Sequence, residues 1–582
     1  MCGILCYTDH DQGQGGPTSN PTVNGPRLDL SGTQALLAHR GPDGQNAVKL
    51  ACPHQPVVCH FYATLLWLRG RQPVLQPRLD PTRSHVWLWN GDVFGGLPPV
   101  PAHENDTQVI LARLQASDKG NQIADEHVPD VLGQIQGPFA FVYWRVASGK
   151  IWFGRDPLGR HSLLMGRDPR RLFLSSVVDP SEVDAFELPA LGIYQLDLAA
   201  SLGQPASIQI HAWRPDAGAT AAHLDARFVL AERTLTSTVS LTSVVSTHTP
   251  PGFLPADVDP GSPSVGPHVL AEYLRFYQTT YVEPLESHLS ASIRIRAQAQ
   301  PAQCHRCRQS QPRPSKCVCA RVGVLFSGGL DSVLITALLC QVLPIEQSID
   351  LMNVAFQKSD SPGQPGFLVP DRLTGLQALQ ELQELYPTRR FNFVPVDVTK
   401  AELMAMREKR LKKLLYPLTS VLDDSIGCAL WFAARGSTTA RVLLLGMGAD
   451  EQFGGYSRHR VRYQREGLSG LQNEMDMELA RISERNLGRD NRILSDHGIA
   501  ARMPFLDENL VNFLASSVPI AVRTRLDMPR GLGDKILLRA LAWKLGLRQT
   551  ALEPKRAIQF GSRIAKLENA KEKGSDKAHR TS

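Results

Sequence analysis

Residues 322–336, VGVLFSGGLDSVLIT, leave few architectures open to the second half of this chain. The apolar run 322–326 reads as a buried strand. The loop Ser327-Gly328-Gly329 follows, then Asp331 and Ser332, and an apolar helix pattern continues from Val333. A tight glycine-rich turn between strand and helix exposes successive backbone N–H groups at the positive end of the helix, an arrangement that holds anions. The hydroxyls of Ser327 and Ser332 add donors. No lysine follows the glycines, so this is not the GxxxxGK[ST] loop. Further strands are predicted at 352–356, 391–397 and 441–445, with helical patterns between them. That alternation predicts a parallel, doubly wound sheet, whose strand C-termini gather at the ligand-binding edge. Ser327 and Asp450 each stand just past a strand end and can face one ligand from two loops. A plain helix cap is the simpler reading of Asp450.

The other end of the chain carries a different set of signals. Removal of Met1 would leave Cys2 with its α-amino group beside its own thiol. That amine titrates near neutrality and can act as the base for the thiol. Gly3 lets a substrate approach the backbone. In LAHRGPD (37–43), Arg40 closes a helical stretch where a guanidinium can bind a carboxylate, or can simply be solvated at a helix end. A strand at 86–88 runs into Asn90-Gly91-Asp92. The Asn90 amide and the Gly91 N–H can form an oxyanion hole, although Asn-Gly alone is more often a hairpin turn. Asp106, in NDT, suits a substrate ammonium and a helix N-cap equally well. GPFAFVYW (137–144) and IWFGRDPLG (151–159) read as buried strands.

Cys2-Gly3-Ile4, HRGPD, Asn-Gly-acid, NDT, GPFAFVYW and GRDPLGR stand in the order found in class II glutamine amidotransferase domains, which the first part of the chain resembles. The loop SGGLDS resembles the pyrophosphate loop of ATP pyrophosphatases. GMGADEQFGGY (446–456), the run 485–507 and GDKILLR (533–539) resemble the synthetase domain of asparagine synthetases. DDSIG (423–427) and SRHR (457–460) look more like the eukaryotic asparagine synthetase domain-containing group. The resemblance implies an N-terminal nucleophile αββα glutaminase sandwich at 2–180 and a linker or interface region at 181–266. It implies a doubly wound parallel-sheet ATP-pyrophosphatase domain at 267–566, and 567–582 reads as a disordered tail.

The resemblance also implies roles. Cys2 is the nucleophile, Asn90 and Gly91 the oxyanion hole, Arg40 the glutamine carboxylate ligand, and Asp92 and Asp106 the amine ligands. ATP is held by Ser327, Gly328, Gly329, Asp331, Ser332, Val354 and Gly446. Mg2+ is held by Asp331 and Asp450, and Lys535 stabilises phosphate charge. The implied reaction hydrolyses glutamine, passes ammonia on shielded from water, adenylates aspartate and yields asparagine, AMP and pyrophosphate. Two departures stand out. Asp92 replaces the family's usual Glu, and Met447 replaces the Glu usual before Gly448, a group that helps deprotonate incoming ammonia. A thioether is a poor proton acceptor, and Glu451 is the nearest substitute in the chain. These departures leave two alternatives open: a related ligase using another carboxylate or amine, and a non-catalytic nucleotide- or partner-binding homologue.

The bulk numbers fit this picture. The length of 582 residues suggests about two to four domains. A net charge of +7 is mild for such a length and demands neither nucleic acid nor membrane. The expected partners are the small molecules glutamine, aspartate and ATP, with a homodimer possible. No run approaches a membrane span, residues 1–12 do not read as a signal peptide, and ten cysteines in this length do not make a disulfide scaffold. A cytoplasmic protein is expected. Residues 297–320 carry Cys304, Cys307, Cys317 and Cys319. CxxC followed by CxC departs from the usual zinc ribbon, and the surrounding Pro, Gln, Arg and Ser favour a flexible insertion over a zinc site.

Overall fold

The structure is a computed structural model. It describes residues 2–10, 28–116 and 125–567, apart from 54, 98–99, 102, 126, 169–170, 199–206, 215–226, 232–233, 236–238, 244–252, 254–263, 311, 313 and 358–365; the side chains of Cys2 and His10 also fall outside the description. The glycine-rich insert after the N-terminal strand and the basic tail lie mostly or wholly outside the described residues. The chain divides into two units. One comprises Met1–Thr238, Arg410–Thr419 and Ser483–Ile499; the other comprises Val239–Lys409, Ser420–Ile482 and Ala500–Ser582.

The first unit is built on two largely antiparallel sheets. Its strands are β1 (Cys2–His10), β2 (Gln45–Ala51), β3 (Val57–Leu65), β4 (Arg78–Leu79), β5 (His85–Gly91), β6 (Phe139–Arg145), β7 (Lys150–Arg155), β8 (Leu164–Gly166), β9 (Phe173–Ser175), β10 (Ala185–Glu187), β11 (Gly192–Asp197), β12 (Ile208–Ala212) and β13 (Phe228–Leu230). One sheet has the order β10-β8-β9-β1-β3-β2 and the other β13-β12-β11-β7-β6-β5-β4. Every residue of β5 and β6 is buried. Unbroken apolar runs are what a strand covered on both faces requires. One face packs Val86, Leu88, Val142 and Trp144 against Ile4, Cys6 and Phe61 of the partner sheet. The opposite face packs Trp87, Trp89, Phe139 and Phe141 against α2 (Asp106–Ala116) and α3 (His127–Gly133), through Ile110, Leu114, Val128 and Leu132. Across the sandwich, α1 (Ser31–Arg40) packs on β1 and β3 through Leu36 and Leu37. The layers therefore run helix, sheet, sheet, helix. The two late segments complete this unit: Arg492 Nη1 pairs with Glu187, and Lys413 Nζ lies 2.6 Å from Asp179 Oδ2.

The second unit opens with α4 (Val265–Tyr277), a π turn at Gln278–Val282, α5 (Glu283–Gln298) and the short α6 (His305–Gln309). Its sheet contains β14 (Val322–Leu325), β15 (Ile349–Phe356), β16 (Phe391–Val398), β17 (Val442–Leu444) and β18 (Ala500–Arg502). All neighbours are parallel, in the order β16-β15-β14-β17-β18. The doubly wound parallel sheet expected from the strand–helix alternation is present. After β14 comes α7 (Leu330–Val342), buried continuously from Ser332 to Cys340, so it is apolar on all sides. The chain moves outward from β14 to β15 and β16, then returns to lay β17 on the other flank of β14. Strand order thus reverses between β14 and β17, and a crevice opens beyond their C-termini.

Candidate functional site

In the first unit, the chemistry-bearing residues gather where β1 begins and β5 ends. The backbone of Cys2 pairs with Leu65 at the start of β1; its side chain lies outside the described residues. Beside it, Gly3 N–H donates to Thr64 Oγ1 at 3.1 Å. A Cβ at Gly3 would come within 2.7 Å of Leu37 and Thr64, which accounts for the glycine. Asn90 is fully buried, with Nδ2 3.5 Å from Ser176 Oγ. Ser176 Oγ also accepts the Ile4 N–H at 3.2 Å, and Ser176 N–H donates to Ile4 O at 2.9 Å. Ser176 therefore ties the start of β1 to the Asn90 amide. No sequence motif pointed to it.

A small cleft lies alongside, lined by Leu66, Trp67, Arg69, Gly91, Asp92, Asn105 and Asp106 among others. Asn105 Oδ1 accepts the Thr107 N–H at 3.0 Å, which is the capping interaction at the start of α2. The capping role open to Asp106 is thus largely taken by its neighbour. Asp106 Oδ1 also bonds Thr107 N–H at 3.0 Å, while Oδ2 is buried without a well-formed hydrogen bond. Burial raises the Asp106 pKa, the charge of Asp92 adds to the rise, and Arg69 opposes it. Arg69 Nε lies 4.0 Å from Asp92 Oδ1, and its Nη2 donates to Val93 O at 2.7 Å. One guanidinium facing two carboxylates makes a site suited to a zwitterion, with an ammonium between the acids and a carboxylate on the arginine.

Arg40 does not line this cleft. Its guanidinium is buried and donates to Asn491 Oδ1 at 2.8 Å, an atom that also accepts the Ser162 N–H at 3.2 Å. Arg69 does line the cleft. No signal marks Arg69, because LRGR belongs to none of the motifs read from the chain.

In the second unit, the switch point brings together residues from four places in the chain. Gly328 has φ +79°, and a Cβ there would meet the Thr374–Gly375 backbone at 2.4 Å, so only glycine fits the turn. Gly329 N–H bonds Ser327 Oγ at 3.3 Å, and Ser332 Oγ donates to Gly329 O at 3.0 Å. Across the crevice, a Cβ at Gly446 would lie 2.9 Å from Asp331 Cβ, which shows how closely the β17 loop approaches the β14 loop. Val354 is buried on β15 and pairs with Val396 on one side. The ladder with β14 on its other side has ended at Leu325, so that backbone edge borders the loop.

Lys535 links the two loops. Its Nζ lies 2.6 Å from Asp331 Oδ2 and 2.6 Å from Asp450 Oδ1. Both distances are those of charge-assisted contacts between an ammonium and a carboxylate. Lys535 holds a left-handed backbone (φ 56°) just before α8 (Ile536–Lys544), a conformation that costs a non-glycine residue energy. A second ammonium, Lys555, pairs with Asp450 Oδ2. Loss of hydration pulls its pKa down to about 8, against the opposing charge of Asp331. Lys555 was not singled out in the sequence. Two carboxylates converging on one cation fit an oxygen-seeking divalent metal, and two ammonium groups beside an N–H nest fit a polyphosphate. Glu451 is buried, bonds the Tyr456 hydroxyl at 2.6 Å, and has a pKa raised by burial.

An antiparallel helix–sheet–sheet–helix sandwich is thus joined in one chain to a parallel sheet with a glycine-rich turn at its switch point, the pairing expected of an amidotransferase domain followed by a synthetase domain. Comparison with known proteins agrees. Residues 319–469 and 460–568 match the family model described as asparagine synthase, and residues 100–180 match that of a glutamine amidotransferase domain. The chain is 37% identical to asparagine synthetase domain-containing protein 1 of Bos taurus, over 94% of each chain. It is 36% identical to that of Homo sapiens, over 94% of this chain and 93% of the relative, and 32% identical to a domain-containing relative of Drosophila melanogaster over 99% of both. A solved glutamine phosphoribosylpyrophosphate amidotransferase from B. subtilis aligns over 68% of this chain and 91% of its own at 12% identity and a TM-score of 0.29, too distant to bear on function. The chain belongs to the asparagine synthetase family.

Proposed function

We propose that this protein is a glutamine-dependent ligase that adenylates aspartate with ATP and amidates it to asparagine. The observation that carries the reading is Lys535 joining Asp331 and Asp450 across the switch point, beside the Ser327–Ser332 nest. In the glutaminase half, Arg69 takes the glutamine α-carboxylate, and Asp92 and Asp106 take its ammonium. This orients the side-chain amide toward the start of β1, where Cys2 attacks. The Asn90 amide and the Gly91 N–H face the oxyanion that forms, and Ser176 keeps Asn90 in place.

In the synthetase half, the nest N–H groups and Ser327 and Ser332 hold phosphate oxygens, and the Val354 backbone receives the base. Asp331 and Asp450 would hold Mg2+, which supplies charge neutralisation for the departing pyrophosphate. Lys535 and Lys555 balance the remaining negative charge as the substrate carboxylate attacks the α-phosphate. Ammonia then displaces AMP. Met447 offers no base for that step, and Glu451 lies close by in the chain.

The test uses protein with Met1 shown to be absent, supplied with Mg-ATP, aspartate and glutamine, with AMP, glutamate and asparagine followed together by mass spectrometry. Equimolar appearance of all three is expected. AMP and glutamate without asparagine would point to a different acceptor carboxylate. No turnover, with ammonium also tried, would make the protein a binding homologue.

A further inference from the structure

The insertion between α5 and β14 does not match the flexible loop expected from its composition. Its cysteines are 304, 307, 317 and 319, and their sulfur atoms all lie within 4.8 Å of one another. None is in a disulfide. Cys307 Sγ and Cys319 Sγ stand 3.7 Å apart, well beyond the S–S bond of about 2.05 Å. That spacing has a specific meaning. A tetrahedron of sulfurs with metal–sulfur bonds of about 2.3 Å has edges of about 3.8 Å. The backbone is also arranged around the sulfurs. Cys304 caps α6, its Sγ accepting the Cys307 N–H at 3.4 Å, and Cys317 Sγ accepts the Cys304 N–H at 3.4 Å. Such N–H···S contacts favour thiolate over thiol and fix the ligands from behind. The Arg321 guanidinium faces Cys317 and Cys304 and offsets part of the negative charge that four thiolates around a dication would carry.

We propose that Cys304, Cys307, Cys317 and Cys319 bind a single structural Zn2+ ion in a closed, all-thiolate site. Four sulfur ligands leave no open position, so the ion takes no part in the chemistry at the switch point. Its role follows from its place in the chain. The segment is rich in Pro, Gln, Arg and Ser and buries little apolar surface; none of the residues of α6 is buried. A chain of that composition lacks a core to order it, and a metal clip supplies the missing stabilisation. The clip joins the two ends of the insertion directly ahead of β14, the strand that carries the phosphate nest. The short CxC arm fits all the same, since Cys317 and Cys319 both bring their sulfur atoms within 4.8 Å of those of the CxxC pair.

The test needs the full-length protein purified under reducing conditions from zinc-supplied cells. Elemental analysis should find about one zinc per chain, falling to near zero in a Cys307→Ser/Cys319→Ser double variant and unchanged in Cys340→Ala. Wild-type protein stripped of zinc and given Co2+ should show the intense sulfur-to-metal absorption and red d–d bands of tetrahedral thiolate cobalt; this arm does not depend on any variant folding. Four thiols should react with a thiol reagent only after a strong chelator is added. Zinc well below stoichiometry with all four thiols freely reactive would overturn the proposal. So would a mapped disulfide within the cluster, or iron in place of zinc.

Discussion

The cleft of the first unit and the crevice of the second hold their charges in opposite ways. In the cleft, Asp92, Asp106 and Arg69 stand near one another but loosely coupled, with Arg69 Nε 4.0 Å from Asp92 Oδ1. In the crevice, Lys535 is clamped at 2.6 Å to two aspartates brought from distant parts of the chain, and Lys555 pairs with one of them. A loosely coupled set leaves its bonding capacity for a small zwitterion. A clamped set fixes two loops relative to each other, so removing one member affects every partner. The crevice is therefore expected to be the more sensitive to single changes.

That contrast breaks most readily at Lys535. Replacing it with alanine removes the ammonium shared by the two loops and leaves Asp331 without its cation, while Asp450 keeps only Lys555. ATP–pyrophosphate exchange driven by aspartate should fall by about 10^3, a loss typical of a group aimed at transition-state charge. Glutamine hydrolysis should be unaffected, and thermal unfolding of the variant controls for folding. Exchange at the wild-type rate would mean that the clamp is structural. The next largest effect is expected at Met447. Introducing glutamate by Met447→Glu restores a proton acceptor, and asparagine formed per AMP should rise by about 10^2 if ammonia deprotonation limits the wild-type enzyme. A wild-type ratio already at unity would show that another group, with Glu451 the first to examine by Glu451→Gln, already serves.

In the cleft the effects should be smaller and should separate two arginines. Arg69→Ala should raise the glutaminase KM by about tenfold with kcat little changed, as loss of a charged hydrogen bond to substrate predicts. Arg40→Ala should instead lower the melting temperature, because Asn491 loses its buried guanidinium partner. The reverse pattern would return the carboxylate-binding role to Arg40.

What was legible in the sequence follows from how local each feature is. SGGLDS is a contiguous turn, and its residues carry their own geometry: the φ of Gly328 and the Ser332 hydroxyl contact arise within six positions. The parallel sheet was legible from its alternation, although β15 begins at Ile349, three residues before the predicted start, because its first residues are buried by neighbours and not by their own pattern. The placements of Arg40, Arg69, Ser176 and Lys555 depend on contacts made over long separations, and the last three carry no signal in the sequence. Arg40 meets Asn491, 451 residues away, and Ser176 meets Ile4, 172 residues away. The inclusion of Arg410–Thr419 and Ser483–Ile499 in the first unit leaves no mark in local composition. The cysteine insertion failed for another reason: composition argued for disorder, while four sulfurs in one place supply an order that composition does not record.

Lys555 sharpens the comparison with the smallest effect. About a fifth of its side chain is accessible, yet dehydration of the ammonium brings its pKa from 10.5 to about 8, with Asp331 resisting the fall. The folded state thus releases a proton that the unfolded chain keeps until higher pH. Between pH about 8 and 10.5 the unfolded state binds more protons, so this group alone makes stability rise with pH across that window. Its attraction for phosphate moves the other way, since the ammonium discharges as pH passes about 8. ATP affinity should weaken by about threefold over that rise, a modest loss because Lys535 and the nest remain and solvent screens part of the charge. Lys555→Arg stays protonated and should flatten the profile without abolishing binding. Titration of nucleotide affinity from pH 7 to 9 separates the cases. A wild-type profile as flat as that of the arginine variant would show that Asp450 and bound phosphate keep Lys555 charged, making it a second fixed clamp beside Lys535. A profile that falls only in the wild type would make it the adjustable charge of an otherwise rigid site.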